Sequence, residues 1–284
     1  MTKTDFEQDG SAEEFFYWIK ERQRIYLKKE AGRKPPWTKD EVLRDYFFCN
    51  VFREQDRVTQ AIREIYREDP EAHRPELLVF NLVLARFFNY IPTLEHIGFT
   101  VNWPRRRAKG ICASIREFGL EHGQTFNSAY LVAGSDLAGK DKTVGVCERL
   151  DIAWNMRERI ATHIEHYPTL EDSWHVLQEL PGVAGFLAYE IVTDLRHTYL
   201  LNRAPDIMTW ANPGPGAIRG LQRIWGKNNV SRQSAISHMR TLLAASKKGT
   251  KLDLEMRDIE HSLCEYDKYK RIKLGQGNVR RYHG

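Results

Sequence analysis

The chain is poor in cysteine, with four in 284 residues: Cys49, Cys112, Cys147 and Cys264. No Cys-x-x-Cys pair and no Cys/His ligand spacing occurs, which argues against zinc and iron–sulfur sites. Neither a metal nor a cofactor is expected, and the four thiols read as reduced residues in or near a core. Strand signals are scarce: Thr100–Trp103 is the one short extended candidate, and no alternating β-branched run is long enough to build a sheet. No stretch approaches the ~20 apolar residues that span a bilayer. The opening MTKTDFEQDGSAEE is acidic and has no apolar segment, so the expectation is no signal peptide and a cytoplasmic, monomeric protein away from membranes. Repeats and low-complexity stretches are also missing.

What is present is an ordinary globular composition. Hydrophobic residues make up 42% and charged residues 29%, enough to bury a core and too apolar for wholesale disorder. The net charge of +5 is mild, but its distribution is uneven. The first fourteen residues carry one lysine against five acids, and the last fourteen carry four Lys/Arg and no acid. Further basic runs lie at 105–109 and between Lys20 and Lys34. Clustered cations of this kind are the electrostatic footprint of a polyanion binder, and equally of a solvated face.

The fold class predicted is all-α. In Glu14–Lys29 the residues Phe15, Trp18, Ile19, Ile25 and Tyr26 repeat at helical spacing, until Pro35-Pro36-Trp37 breaks the pattern. Thr38 and Glu41 have capping-box spacing for a further helix through Val42, Leu43, Tyr46 and Phe47 toward Val58. Pro75 opens a strongly apolar helix, Leu77 to Tyr90. More helices are predicted from Pro104 to Gly119, over Leu150–Tyr167 and over Ser173–Leu180.

One segment carries more specific chemistry. After the helix ending at Leu180, Pro181-Gly182-Val183-Ala184-Gly185 forms a turn, and a second helix starts near Gly185. Such a hairpin directs backbone N–H groups outward and suits one DNA phosphate, independent of sequence. Gly182, Val183, Ala184 and Gly185 are therefore DNA-contact candidates. The pattern resembles the helix-hairpin-helix motif, although Ala184 stands where the motif has its second glycine. In helix-hairpin-helix DNA glycosylases an Asp follows about twenty residues later at a helix start, and Asp206 lies at that distance. An N-cap carboxylate is held ionised there, and it could stabilise positive charge developing on deoxyribose. Phe186 occupies the position at which bifunctional members have a lysine, so a water-using, monofunctional reaction is implied. Asn212-Pro213-Gly214-Pro215-Gly216 then leads into a helix with Arg219 in its first turn, a second candidate phosphate contact.

Two other segments complete the pattern. Pro36-Trp37-Thr38 with Asn50-Val51-Phe52-Arg53 and Asp56 places aromatic and polar residues on what reads as one helix. Met256 to Tyr269 carries Glu260 and His261 beside the core positions Ile259 and Leu263. In order, from about Phe15 to Tyr269, these segments resemble the alpha-glutamyl/putrescinyl thymine pyrophosphorylase family. The Pro-Trp-Thr…Asn-Val-Phe-Arg…Asp pattern is also similar to the helical domain of phage 5-hydroxymethyluracil DNA kinases. The resemblance implies a helix-hairpin-helix DNA glycosylase-like fold of two helical lobes with a DNA groove between them. On that basis residues 1–103 would pack with 205–284, and 104–204 would form the hairpin lobe.

Two activities follow from the resemblance. The first is a hydrolase in anti-phage defence that flips and excises a bulky modified pyrimidine from phage DNA, best matched by glucosylated 5-hydroxymethylcytosine. Asp206 would be its catalytic residue, and Asn50, Arg53, Asp56, Trp210 and His261 would line its base pocket. The alternative is an amino acid or polyamine:DNA transferase that displaces pyrophosphate from activated 5-hydroxymethyluracil. In that case Arg219 would hold the leaving group and His261 or Glu260 would act as base.

Overall fold

In the computed structural model the described residues are 11–103, 110–127, 141–226 and 230–276. They form helices and connecting turns, and no strand occurs among them. The basic run 105–109 and the end of the basic tail, 277–284, lie outside the described residues.

In chain order the α-helices are α1 (Ser11–Glu30), α2 (Glu41–Asp45), α3 (Arg57–Ile62), α4 (Pro75–Phe88), α5 (Ile91–Ile97) and α6 (Ile111–His122). They continue with α7 (Lys142–His166), α8 (Leu170–Leu177), α9 (Gly185–Leu195), α10 (Pro215–Trp225), α11 (Arg232–Thr250) and α12 (Met256–Lys273). Two compact units result: Met1–Asp56 with Ile207–Gly284, and Arg57–Asp206. The second division falls beside the expected one at 204/205. The first falls at 56/57, well before the expected 103/104, because α4 packs on α7 and α9 and so belongs to the second unit.

The first unit is built on an aromatic core. Phe15 and Trp18 of α1 meet Tyr266 of α12 edge-on, with ring centroids 5.2 and 6.0 Å apart. Helices α10 and α12 approach closely because Gly216 and Gly220 carry no side chain. A Cβ on Gly220 would lie 2.4 Å from the Leu263 carbonyl oxygen, and one on Gly216 would lie 2.4 Å from the Cys264 sulfur. These two glycines serve helix packing.

In the second unit α4 is the central helix. Pro75 opens it, Asn89 closes it in the left-handed region (φ 49°), and every residue from Leu77 to Phe88 is buried. Its two polar members are satisfied within the core. Asn81 holds the chain at Thr100 by giving its amide to the Thr100 carbonyl (2.9 Å) and accepting from the Thr100 N–H (2.8 Å). Arg86 forms a two-pronged pair with Asp194 of α9, Nε–Oδ2 2.6 Å and Nη2–Oδ1 2.7 Å, and also lies 3.6 Å from Glu190. Cys112 of α6 and Cys147 of α7 are joined by a disulfide, which corrects the reading of four reduced thiols. Only Cys49 and Cys264 are thiols.

Two outcomes follow. Arg86→Met leaves two buried carboxylates without their cation and should lower unfolding free energy by about 3–5 kcal/mol. Urea unfolding measures this, and a loss below about 1 kcal/mol would refute the central role of the pair. Alkylation of the chain in denaturant should modify two cysteines without reductant and four with it, as read by intact mass.

Candidate functional site

The helix predicted from Thr38 toward Val58 stops at Asp45. Its N-cap is Asp40, whose carboxylate accepts from the Leu43 N–H at 3.0 Å, while Thr38 is turned away to donate to Glu21 at 2.6 Å. Tyr46 closes the helix in the extended region. Beyond that point the chain is held from α1: the buried guanidinium of Arg22 donates to the Phe48 carbonyl at 2.5 Å and to the Cys49 carbonyl. Residues 46–52 run outside any helix, and Arg53–Gln55 make one 3₁₀ turn. Asn50, Arg53 and Asp56 therefore sit on a loop and not on one helix.

The loop is held from inside. Asp56 Oδ1 accepts from the Asn50 N–H at 2.9 Å, and Asp56 Oδ2 accepts from Arg53 at 2.7 Å. The Asn50 amide donates to the Gln55 carbonyl at 2.8 Å. Glu265 of α12 accepts from the Cys49 N–H at 3.1 Å. Lys268, one turn further, donates to the Phe47 carbonyl at 2.6 Å and lies 3.7 Å from Glu265.

Four of the five candidate base-pocket residues meet in this region. Ligand atoms of Cys49, Asp56 and His261 all lie within 4.8 Å of one another, and all three residues are half-buried. Asn50 and Arg53 adjoin Asp56 directly. Burial pushes the Cys49 thiol up to about 12, helped by Glu265 and Asp56 and opposed by Arg53 and Lys268. The site offers a soft donor, an imidazole, a carboxylate and a guanidinium on one half-buried surface. The fifth candidate, Trp210, is 5% exposed and packed inside the first unit, so no open face is left for stacking.

In the second unit α8, a short turn and α9 form a helical hairpin, with α9 starting at Gly185 as expected. Gly182 takes φ +77°, and a Cβ there would lie 2.4 Å from Nη1 of Arg149, whose side chain is buried beneath the turn. Val183 is buried and donates its N–H to the Leu180 carbonyl at 3.1 Å. Ala184, the N-cap of α9, brings no side-chain acceptor to that end. The Gly185 carbonyl accepts from the Trp174 indole at 2.8 Å, and Phe186 is 61% exposed.

Asp206 does not begin a helix, because residues 205–209 form turns. It caps a remote one. Its Oδ1 accepts from the Leu170 N–H at 2.9 Å and its Oδ2 from the Glu171 N–H at 3.0 Å, at the start of α8. Arg219 is likewise committed. It pairs at 2.8 Å with Asp267, a buried carboxylate that also holds Arg223 at 2.7 Å and Arg271 at 3.4 Å. At the start of α10 a protein carboxylate, Glu260, already accepts from the Gly214 N–H at 3.4 Å and pairs with Arg257 at 3.0 Å.

Against known proteins, residues 10–278 match the family model described as 5-hmdU DNA kinase, helical domain. The chain belongs to this family. It is 25% identical over 288 aligned positions to a 5-hmdU DNA kinase of Bacillus phage SP10, an alignment covering 90% of this chain and 44% of that protein. The chain thus spans less than half the length of that relative. No solved structure matches it. The family shown is that of the phage kinase helical domain, one of the two resemblances read from the sequence. The pyrophosphorylase and glycosylase assignments are not specifically supported.

Several residues that organise the two units carry no local signal in the sequence. The donors beside Cys49 lie 7 and 212 positions away and form no motif with it. Arg22 was one basic residue among several on α1, and Arg149 and Asp267 carried no signal at all. An arginine on the apolar face of α1, beside Ile19 and Ile25, was the available hint.

The dual capping by Asp206 has a direct consequence. Asn at this position can accept only one of the two N–H groups, so Asp206→Asn should cost about 1–2 kcal/mol. Hydrogen exchange at the Leu170 and Glu171 amides should accelerate. Unchanged exchange there would rule out the capping role.

Proposed function

We propose that this chain modifies a base in DNA, acting on 5-hydroxymethyluracil or its phosphorylated form, with the 50–56 loop and the facing side of α12 as its reaction site. The observation that carries this reading is the convergence of Asn50, Arg53, Asp56 and His261 around Cys49, in a chain of the 5-hmdU DNA kinase helical-domain family. The reaction we favour is transfer. An amine nitrogen bonds to the exocyclic methylene carbon of the activated base, the carbon–oxygen bond to the phosphate group breaks, and that group leaves with the electron pair. His261 accepts the proton released by the amine, and Arg53 offsets charge on the departing phosphate. Arg219, paired with Asp267 as Arg53 is with Asp56, is half exposed and stays a second candidate for this role. The α8–α9 hairpin of the second unit serves as a sequence-independent contact to a DNA phosphate through the amides at the start of α9.

One fact guides this choice over excision of the base: the curated relative is named as a kinase acting on DNA, not as an enzyme that removes a base. The two backbone amides on Asp206 hold its carboxylate at the start of α8 and are compatible with either reaction. Among the described residues there is no strand to carry a Walker-type phosphate loop, so phosphorylation itself is not assigned to them.

The test uses duplexes containing thymine, 5-hydroxymethyluracil, or its phosphate and pyrophosphate esters, incubated with the chain and with putrescine or free amino acids. Nucleoside mass spectrometry should show an amine in place of the ester. The product should fall by at least about a hundredfold in His261→Asn and survive in Asp206→Asn. Free base with abasic sites, lost in Asp206→Asn, would overturn transfer in favour of excision. Unchanged nucleosides on every duplex would also overturn it.

A further inference from the structure

We infer that Cys49, Asp56 and His261 form a binding site for one divalent transition metal of the zinc class, with an open position for an oxygen ligand. The inference stands on donor chemistry and geometry, and it competes with the transfer reading for His261: a ring nitrogen that holds a metal cannot also accept the amine's proton, so an occupied site hands that proton to another base.

Three donors of different type converge from two segments far apart in sequence, and their ligand atoms lie within 4.8 Å of one another. Donors on a tetrahedral zinc ion are roughly 3.3–3.7 Å apart, given bond lengths of about 2.0–2.3 Å. The observed limit therefore asks for about an ångström of closing, which side-chain rotation supplies. A thiolate and an imidazole select zinc or cobalt over magnesium and calcium, which prefer all-oxygen shells. Three protein ligands with a fourth position left over is the arrangement of reactive zinc sites; structural sites use four.

The surroundings behave as an outer shell that orients these ligands. Asp56 is fixed through both oxygens, by the Asn50 N–H and by Arg53, and each oxygen keeps a further lone pair for a metal. Cys49 is fixed through its backbone at both ends, its N–H to Glu265 and its carbonyl to Arg22. Asp56 and Glu265 carry two negative charges against Arg22, Arg53 and Lys268, and the Cys49 thiol gives up its proton when a dication arrives, which brings the shell to balance and makes binding favour higher pH. The three residues share one unit, and each is half-buried.

The full-length chain, stripped with chelator and kept free of reductant so that Cys112–Cys147 stays closed, would be titrated with Zn²⁺ by calorimetry and with Co²⁺ by absorption. One equivalent should bind, and the cobalt form should show thiolate-to-cobalt charge transfer. Zn²⁺ should also slow iodoacetamide labelling of Cys49 while leaving Cys264 unaffected, as read by peptide mass in the unmutated protein. Cys49→Ser and His261→Asn should each weaken binding by at least about tenfold, with Cys264→Ser as the unaffected control. No stoichiometric binding, a cobalt spectrum without a sulfur band, or Zn²⁺ labelling protection at neither cysteine would overturn the site. Cys49 that labels rapidly and indifferently to Zn²⁺ would identify a reactive thiol paired with His261 instead.

Discussion

A single buried guanidinium shapes the first unit. Arg22 reaches from α1 to the carbonyls of Phe48 and Cys49, and its side chain is almost wholly removed from water. Hydrogen bonds from a charged donor are worth about 1.5–3 kcal/mol each, and a buried cation without them is not tolerated. Two consequences follow from the same contact. The carbonyls are held in place beyond the helix that ends at Asp45, which fixes the course of the extended segment that follows. That segment presents Cys49 to α12, where Glu265 takes its N–H and His261 lies beside its sulfur. The polar residues from 50 to 56 form a loop whose carboxylate, Asp56, is oriented by its own neighbours.

The second unit uses the same device for different ends. Arg86 closes α4 onto α9 through Asp194, and Arg149 lies under the Gly182 turn where any side chain would collide with it. Asp206 works in the opposite sense, bringing a carboxylate to the exposed amides at the start of α8. An all-helical fold leaves several unsatisfied N–H and C=O groups at each helix end, and here side chains distant in sequence satisfy them. Such side chains are poor guides to chemistry when read from sequence, because a residue that completes a helix end and a residue that attacks a substrate look alike in one dimension.

That difference explains what the sequence revealed. Apolar periodicity located α1, α4 and α7, and the Pro-Gly break located the hairpin with α9 beginning at Gly185, because these are local properties of the chain. The helix over 38–58 ends at Asp45, and the segment after it is fixed by a contact 26 residues away that no local pattern announces. Asp206 lay at the expected distance, but the helix it caps precedes it by 36 residues. The glycines after Asn212 matched a phosphate loop in composition, whereas Gly216 and Gly220 exist to let α10 meet α12. Asn50, Arg53, Asp56 and His261 were singled out from motif order and do come together. Cys49 was missed because metal-ligand reasoning from sequence sees only short spacings.

The division of labour between the units has a further implication. The members of the cluster around Cys49, from Arg22 to Asp56 and from His261 to Lys268, all belong to the first unit. The hairpin, its buried Arg149 and the Asp206 cap are complete within the second. Changes to either set therefore act through different physics. On the proposed reading, altering the hairpin would change backbone donors to a polyanion, a contact blind to base identity and weakened by salt, and altering the cluster would change side-chain donors of specific chemistry. No residue of the cluster is shared with the hairpin. If the proposed reaction holds, the surroundings of Asn50, Arg53 and His261 would set the substrate, and comparison of those positions among relatives would carry more information about it than comparison of the hairpin.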